Sequence, residues 1–356
     1  MNQSESKSGA KGVYETTSKY LHTDLSPSHQ LMRMGLGVMT TQMLAAVAQL
    51  DIADKLADGP RSADDLARAS GAQPDFLYRV LRTLTSLGVF EELPERKFAL
   101  TEVSQLLRTG VPVSLRDMVV FFGSAWSSKG CSHLLDAMKS GKSGIEEAFG
   151  MNVFQYLGSH HDDLAVFQGA MTGFSSVQSP PVVDAYDFTP FRRIIDIAGG
   201  HGALLAHILN AAPQATGAVL ELPEVVANGP ELAKSHGLAD RMEFIAGDMF
   251  EAVPAGGDCY VLKYIVHDWG DAAAKQFLSN IRKGIKPEGK LIVVDSVIPQ
   301  GPHIGKIFDA YMVVLMPGGV ERTQEEFAAL FASAGFKLTR VIPTGSYLSI
   351  VEGVPI

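Results

Sequence analysis

Between residues 31 and 107 apolar positions recur three and four apart, in Met43, Leu44, Val47 and Leu50, then in Phe76, Leu77, Val80, Leu81, Leu84 and Leu87. That spacing predicts helices with one buried face each. Ser62, with Asp65 three residues on, reads as a capped helix start. Ser70-Gly71 makes a turn, a second capped helix runs to Leu87-Gly88, and two short strands follow at 89–92 and 97–100. The order predicts a winged helix-turn-helix. From about 113 to 184 the pattern stays helical and carries Phe121, Phe122, Trp126, Phe149, Phe154, Tyr156, Phe167, Met171 and Phe174. Core packing accounts for such a stripe, and some of these side chains are expected to line a pocket.

Past Pro190 the texture changes. Short, nearly continuous apolar runs begin at Ile194, Gly217, Met242, Cys259 and Lys290, with helical windows between them. Strands buried on both faces of a parallel sheet look this way, so the second half predicts an α/β fold with a doubly wound sheet. A helix over 324–334, Gly335 as its cap, and strands at 337–343 and 347–352 turning at Gly345-Ser346 add an antiparallel hairpin.

Composition narrows the partners. The chain has 356 residues, 46% of them hydrophobic, and this length predicts two domains. With 30 Lys+Arg against 39 Asp+Glu the formal charge is −9 and no basic run is longer than a pair, which argues against nucleic acid and anionic membrane surfaces. Cys131 and Cys259 are too few and too far apart for a disulfide framework or a metal knuckle, and His160-His161 lack further ligands, so no metal is expected. Residues 1–25 read as a polar tail without a targeting pattern, and the most apolar stretch, 32–50, is interrupted by Gln and Thr. A cytoplasmic protein is expected.

The candidate chemistry starts where the first parallel strand runs into Asp196-Ile-Ala-Gly-Gly-His-Gly202. Glycines there let backbone approach a ligand and leave helix amides facing it, but nicotinamide and flavin nucleotides use similar turns. Two acids follow at successive strand ends. Glu221, about 20 residues past the loop, can accept from both ribose hydroxyls of an adenosine. Asp248 in Gly-Asp-Met-Phe can accept from an adenine amino group, with apolar neighbours to cover the ring. These segments, with the run from Leu262 to Trp269 (LKYIVHDW) and the run from Gly318 to Thr323 (GGVERT), resemble the plant-type small-molecule O-methyltransferases and their bacterial phenazine and polyketide relatives over nearly the whole chain. The resemblance implies a Rossmann-like methyltransferase sheet and S-adenosylmethionine held by Asp196, Gly199, Gly200, Glu221, Asp248, Met249, Phe250 and Lys263. Two positions depart from the family pattern. Ala198 stands where glycine is usual, adding a methyl at a crowded backbone approach, and Glu221 stands where Asp is commoner.

Methylating a phenol requires alignment and removal of one proton. His267 suits the second task, since an unperturbed imidazole titrates near neutrality. An isolated His-Asp-Trp could equally cap a helix, and the resemblance is what favours the base. It also supplies acids at Asp295 and Glu321 to orient the ring, while Asp268 reads as a helix-initiating residue. Met312 and Met316, one helical turn apart, with Trp126, Phe167, Met171 and Phe174, are candidate contacts for a flat aromatic acceptor, although core packing explains each as well.

The predicted organisation is a tail (1–25), a winged-helix dimerisation domain (26–110), a helical linker contributing to the acceptor pocket (111–185) and a catalytic domain (186–356). A DNA-binding regulator is the rival from another class, but helix 73–87 sets only Arg79 and Arg82 against Asp75, too little for a phosphate footprint. In the resembled family the first domain interleaves two subunits, so a homodimer is expected. A same-fold enzyme acting on nitrogen or sulfur, or without methyl transfer, remains the alternative.

Overall fold

The computed structural model describes residues 26–226 and 229–356; the expected tail lies outside them. Contacts divide the described chain into two units. One holds residues 26–132 and 153–177, the other 133–152, 178–226 and 229–356. The region expected to be a linker, 111–185, is thus shared between them.

In the helical unit, Ser62 caps helix Ala63–Ser70 by accepting from Asp65 N at 3.1 Å, and helix Pro74–Thr85 buries Leu77, Leu81 and Leu84. Strands β1 (Arg61–Ser62), β2 (Phe90–Leu93) and β3 (Lys97–Leu100) form a small antiparallel sheet in the order β1-β3-β2. Phe90 and Phe98 from its two longer strands join the leucines and Val47, Ile52 and Leu56 in one core.

The second unit is built on seven strands, β4 (Arg193–Ile197), β5 (Thr216–Glu221), β6 (Met242–Ala246), β7 (Cys259–Lys263), β8 (Lys290–Asp295), β9 (Phe336–Pro343) and β10 (Ser349–Pro355). Their order is β6-β5-β4-β7-β8-β10-β9, parallel through β8, with β10 antiparallel to both neighbours. The near-continuous apolar runs have the predicted cause. Ile194, Val219 and Val261 face one core, with Leu205 and Ile208 of helix Ala203–Ala211. Their neighbours Ile195, Leu220 and Leu262 face the other, with Phe277 and Ile281 of helix Asp271–Gly284 and Phe331 of helix Gln324–Ser333. From β4 the chain crosses to β5 on one side and later returns to β7 on the other. Parallel sheets bind ligands outside strand ends at such a reversal, and there lie the glycine turn and Lys263.

Candidate active site

Three of the five residues between β4 and the next helix have left-handed backbone, Ala198 at φ 53°, Gly200 at 59° and Gly202 at 83°. The methyl of Ala198 therefore has a conformational consequence rather than the steric one expected from the sequence, costing roughly 1–2 kcal/mol for a residue with a Cβ. Ala198 N is anchored on Leu220 O at 2.8 Å. Gly199 is required by close approach, because a Cβ there would stand 2.4 Å from Asp196 Oδ2. That carboxylate is buried, and among the described residues Oδ2 has no hydrogen-bond partner. Burial pushes Asp196 up to about 7, with Lys263 opposing and Glu221 reinforcing the rise. A buried acceptor left over beside a glycine turn suits an ammonium group on a ligand.

Glu221 ends β5, and its extra carbon brings Oε2 to Gly200 N at 2.9 Å while Oε1 accepts from Leu222 N at 2.8 Å. Each oxygen keeps a second lone pair for a ribose hydroxyl. Past β6, Asp248 Oδ1 accepts from Phe250 N at 2.8 Å, and Asn280 Nδ2 on helix Asp271–Gly284 donates to the carbonyls of Met249 and Phe250. The loop is thereby fixed, with the Phe250 ring edge-on to Trp269, centroids 4.8 Å apart. Lys263 ends β7; burial lowers its ammonium to about 8 against the pull of Asp196 and Asp295.

A short 3-10 turn, Val266–Asp268, follows β7 and buries His267. Its Nδ1 lies 2.7 Å from Glu321 Oε1 and its Nε2 3.4 Å from Asp268 Oδ1. The turn departs from two expectations of the sequence. Asp268 does not start a helix: the next one begins at Asp271 behind Gly270, and the tight turn swings the Asp268 carboxylate to the ring. Nor is the imidazole unperturbed. Burial alone would lower it, but Asp268, the Glu321 hydrogen bond and Asp295 together outweigh burial and hold it at about 10. Asp295 takes part through its charge. Its Oδ1 accepts from Tyr264 N at 3.0 Å, Oδ2 has no partner among the described residues, and burial beside Glu321 and Asp268 raises it to about 7. Asp268 is raised to about 6, again by burial first.

Five further residues build this cluster, and none of them was expected from the sequence to have a role there. Asp309 Oδ1 accepts from Glu321 N at 2.9 Å. Arg322, 1% exposed, donates to Val266 O at 3.0 Å, Trp269 O at 2.8 Å and Asp271 Oδ1 at 2.8 Å, while Val320 N donates to His267 O at 2.7 Å. The 318–323 motif so clamps both the ring and the carbonyls of the histidine turn. Tyr264 carries φ 58° and Tyr347 meets its hydroxyl at 2.7 Å. Their sequence signal was position alone: Tyr264 lies in the 262–269 run, and Val320 and Arg322 lie in the 318–323 run.

Met312 and Met316 are buried, and Gly319 sits against them and His267 O, where a Cβ would come 2.7 Å from Met316 Cβ and 3.2 Å from that oxygen. The other four candidate acceptor contacts lie on the helical unit. Trp126 packs at 5.5 Å from Phe121 and Tyr156, Phe167 stands edge-on to Phe121, and Phe174 edge-on to Phe122. Met171 is half-buried on helix His161–Ala185.

Residues 131–337 match the model of the O-methyltransferase domain, and residues 32–110 that of the O-methyltransferase dimerisation domain. The phenazine O-methyltransferase PhzM of Lysobacter antibioticus is 42% identical over 333 residues, covering 92% of this chain and 96% of that protein. The 8-amino-8-demethylriboflavin N,N-dimethyltransferase of Streptomyces davaonensis is 33% identical, covering 93% and 96%. Among solved structures, CalO1, a methyltransferase in calicheamicin biosynthesis with S-adenosylhomocysteine bound, superposes with a TM-score of 0.81 at 31% identity, over 94% of this chain and all of that one. By its two matched domains and its relatives, the chain belongs to the S-adenosylmethionine-dependent O-methyltransferases.

Proposed function

We propose that the chain methylates a phenolic hydroxyl of a small aromatic metabolite, with His267 as the general base. The observation that carries this reading is the Glu321 carboxylate 2.7 Å from His267 Nδ1, which fixes the ring and leaves Nε2 to meet an acceptor hydroxyl beside Asp268. S-adenosylmethionine supplies an electrophilic methyl on a sulfonium sulfur. Its ammonium fits Asp196 Oδ2 and the Gly199 and Gly200 turn, its ribose Glu221, and its adenine the surface of Asp248, Met249, Phe250 and Lys263. The protein's part is to orient the acceptor, for which Met312 and Met316 offer an adaptable apolar wall, and to take its proton. A phenol titrates near 10, as His267 does here, so the proton passes between groups of matched strength. Glu321 and Asp295 then stabilise the imidazolium.

The test is a set of phenols and anilines offered with labelled S-adenosylmethionine, product mass being read for wild type and His267→Ala. Loss of O-methylation by about 100-fold or more is expected; a variant within a few-fold of wild type would sink the base assignment. The relative that methylates an amine makes nitrogen the second reading, and labelled anilines with unlabelled phenols would establish it. We further infer a homodimer through the dimerisation domain, and a cytoplasmic setting in keeping with free thiols at Cys131 and Cys259.

A further inference from the structure

Tyr264 follows β7 with φ 58°, a backbone conformation that a bulky aromatic residue keeps only where its surroundings over-determine it. Its amide is held by Asp295 Oδ1 at 3.0 Å and Val294 O at 3.2 Å. Its ring lies 5.4 Å from the His267 imidazole, tilted by 30°, with Lys263 Nζ 4.6 Å above it. The hydroxyl meets Tyr347 Oη at 2.7 Å. Tyr347 comes from the loop between β9 and β10 and stacks on Phe308, centroids 4.8 Å apart and planes within 10°. Phe308 precedes Asp309, which holds Glu321 N, and Glu321 holds His267 Nδ1. The contacts therefore run in a closed circuit from the imidazole through Tyr264, Tyr347 and helix Gly305–Leu315 back to the imidazole.

Packing alone does not ask for the two hydroxyls. Phenylalanine would fill either place, and each buried hydroxyl has to be matched by a partner. We propose that Tyr264 and Tyr347 act as a hydrogen-bonded couple of positioning residues, closing the circuit that sets the plane of His267 against Lys263 and Glu321. The inference rests on the reading of His267 as the base. It also gives the C-terminal hairpin a part in the reaction, through Tyr347, which reaches the histidine by way of Tyr264.

Tyr347→Phe, Tyr264→Phe and the double variant, each in the full chain, test it by steady-state kinetics with the best phenolic acceptor. Each single change should lower kcat by tenfold or more with the KM for S-adenosylmethionine within twofold of wild type. The double variant should be no more than twofold worse than the poorer single one, because either change opens the same circuit. Multiplicative losses in the double variant would overturn the couple, as would unaltered kcat in Tyr347→Phe accompanied by a lowered melting temperature. Should Tyr264→Phe fold poorly, the split between kcat and KM in Tyr347→Phe, which retains the stack on Phe308, decides alone. His267→Gln separates the two ideas: an inactive variant with multiplicative tyrosine losses removes only the couple, whereas an active one removes the base and the couple together.

Discussion

The Glu321 carboxylate 2.7 Å from Nδ1 and the Asp268 carboxylate 3.4 Å from Nε2 flank the His267 ring, and that geometry governs how the site responds to pH. The folded pKa is raised, so the imidazolium persists up to about 10 and the base form grows as pH rises toward that value. For wild type, kcat/KM should climb through the range from pH 7 to 9. Glu321→Gln removes one of the charges that raise the pKa, so the inflection should move down toward 6.5 while the plateau rate falls by roughly 100-fold through loss of orientation. A pH–rate profile of both proteins checks this, and an unmoved inflection would contradict it. The same shift stabilises the fold fully below pH 6.5, and that contribution is lost as pH rises through about 10. Gly199 makes the second residue-scale test. A methyl there would press on the Asp196 carboxylate at 2.4 Å, so Gly199→Ala should weaken S-adenosylmethionine binding by at least tenfold in calorimetry while leaving β4 and its sheet intact. The continuous burial along β4 and the glycine turn after it were legible in the sequence because the one follows from an unbroken apolar run and the other from a short motif. Asp268 was not. Adjacent residues point apart in strands and helices alike, and only the 3-10 turn brings this carboxylate back to its neighbour's ring.

Elements come together at Arg322, where the turn after β7 is tied to the segment entering helix Gln324–Ser333. One guanidinium satisfies Val266 O and Trp269 O on either side of His267, and it pairs with Asp271 in the first turn of the following helix. Replacing it with the similarly long Met removes the guanidinium donors from the Val266 and Trp269 carbonyls, and the clamp with them. Arg322→Met should lose about 2–4 kcal/mol of stability by urea unfolding. Lysine, a point charge without the planar fork, should recover only part of it. If the two variants unfold alike with wild type, the fork does not hold the turn. The contact joins residues more than fifty positions apart, so no window of sequence exposes it. Likewise the hairpin of β9 and β10 was predicted from two strands reversing at Gly345-Ser346, yet nothing local announces that Tyr347 at its turn meets Tyr264. Sequence periodicity fixes which face a strand buries. Which distant side chain meets which is settled by packing.

On the scale of the whole molecule, helices Pro27–Gly35 and Gly37–Gln49 leave Leu31, Met32, Met34, Leu36, Val38 and Met39 exposed, Leu31 at 73% and Met34 at 64%. Stable monomers seldom show so continuous an apolar face, so something covers it. No single helix among the described residues is long and apolar enough to cross a membrane, although this bent pair together reaches the length and composition. A net charge of −9, with Arg33 the only Lys or Arg between 27 and 49, gives anionic lipid little to attract. The dimerisation domain begins at residue 32, inside this face, and a second copy of the chain is the cover that fits. Light scattering after gel filtration should give twice 38.2 kDa for the wild type at micromolar concentration. Met34→Asp combined with Val38→Asp should shift the mass to that of one chain, since charges buried in an apolar interface without partners are costly. Wild type that runs as one chain, or that floats with neutral vesicles in preference to pairing, would show the face to have another use.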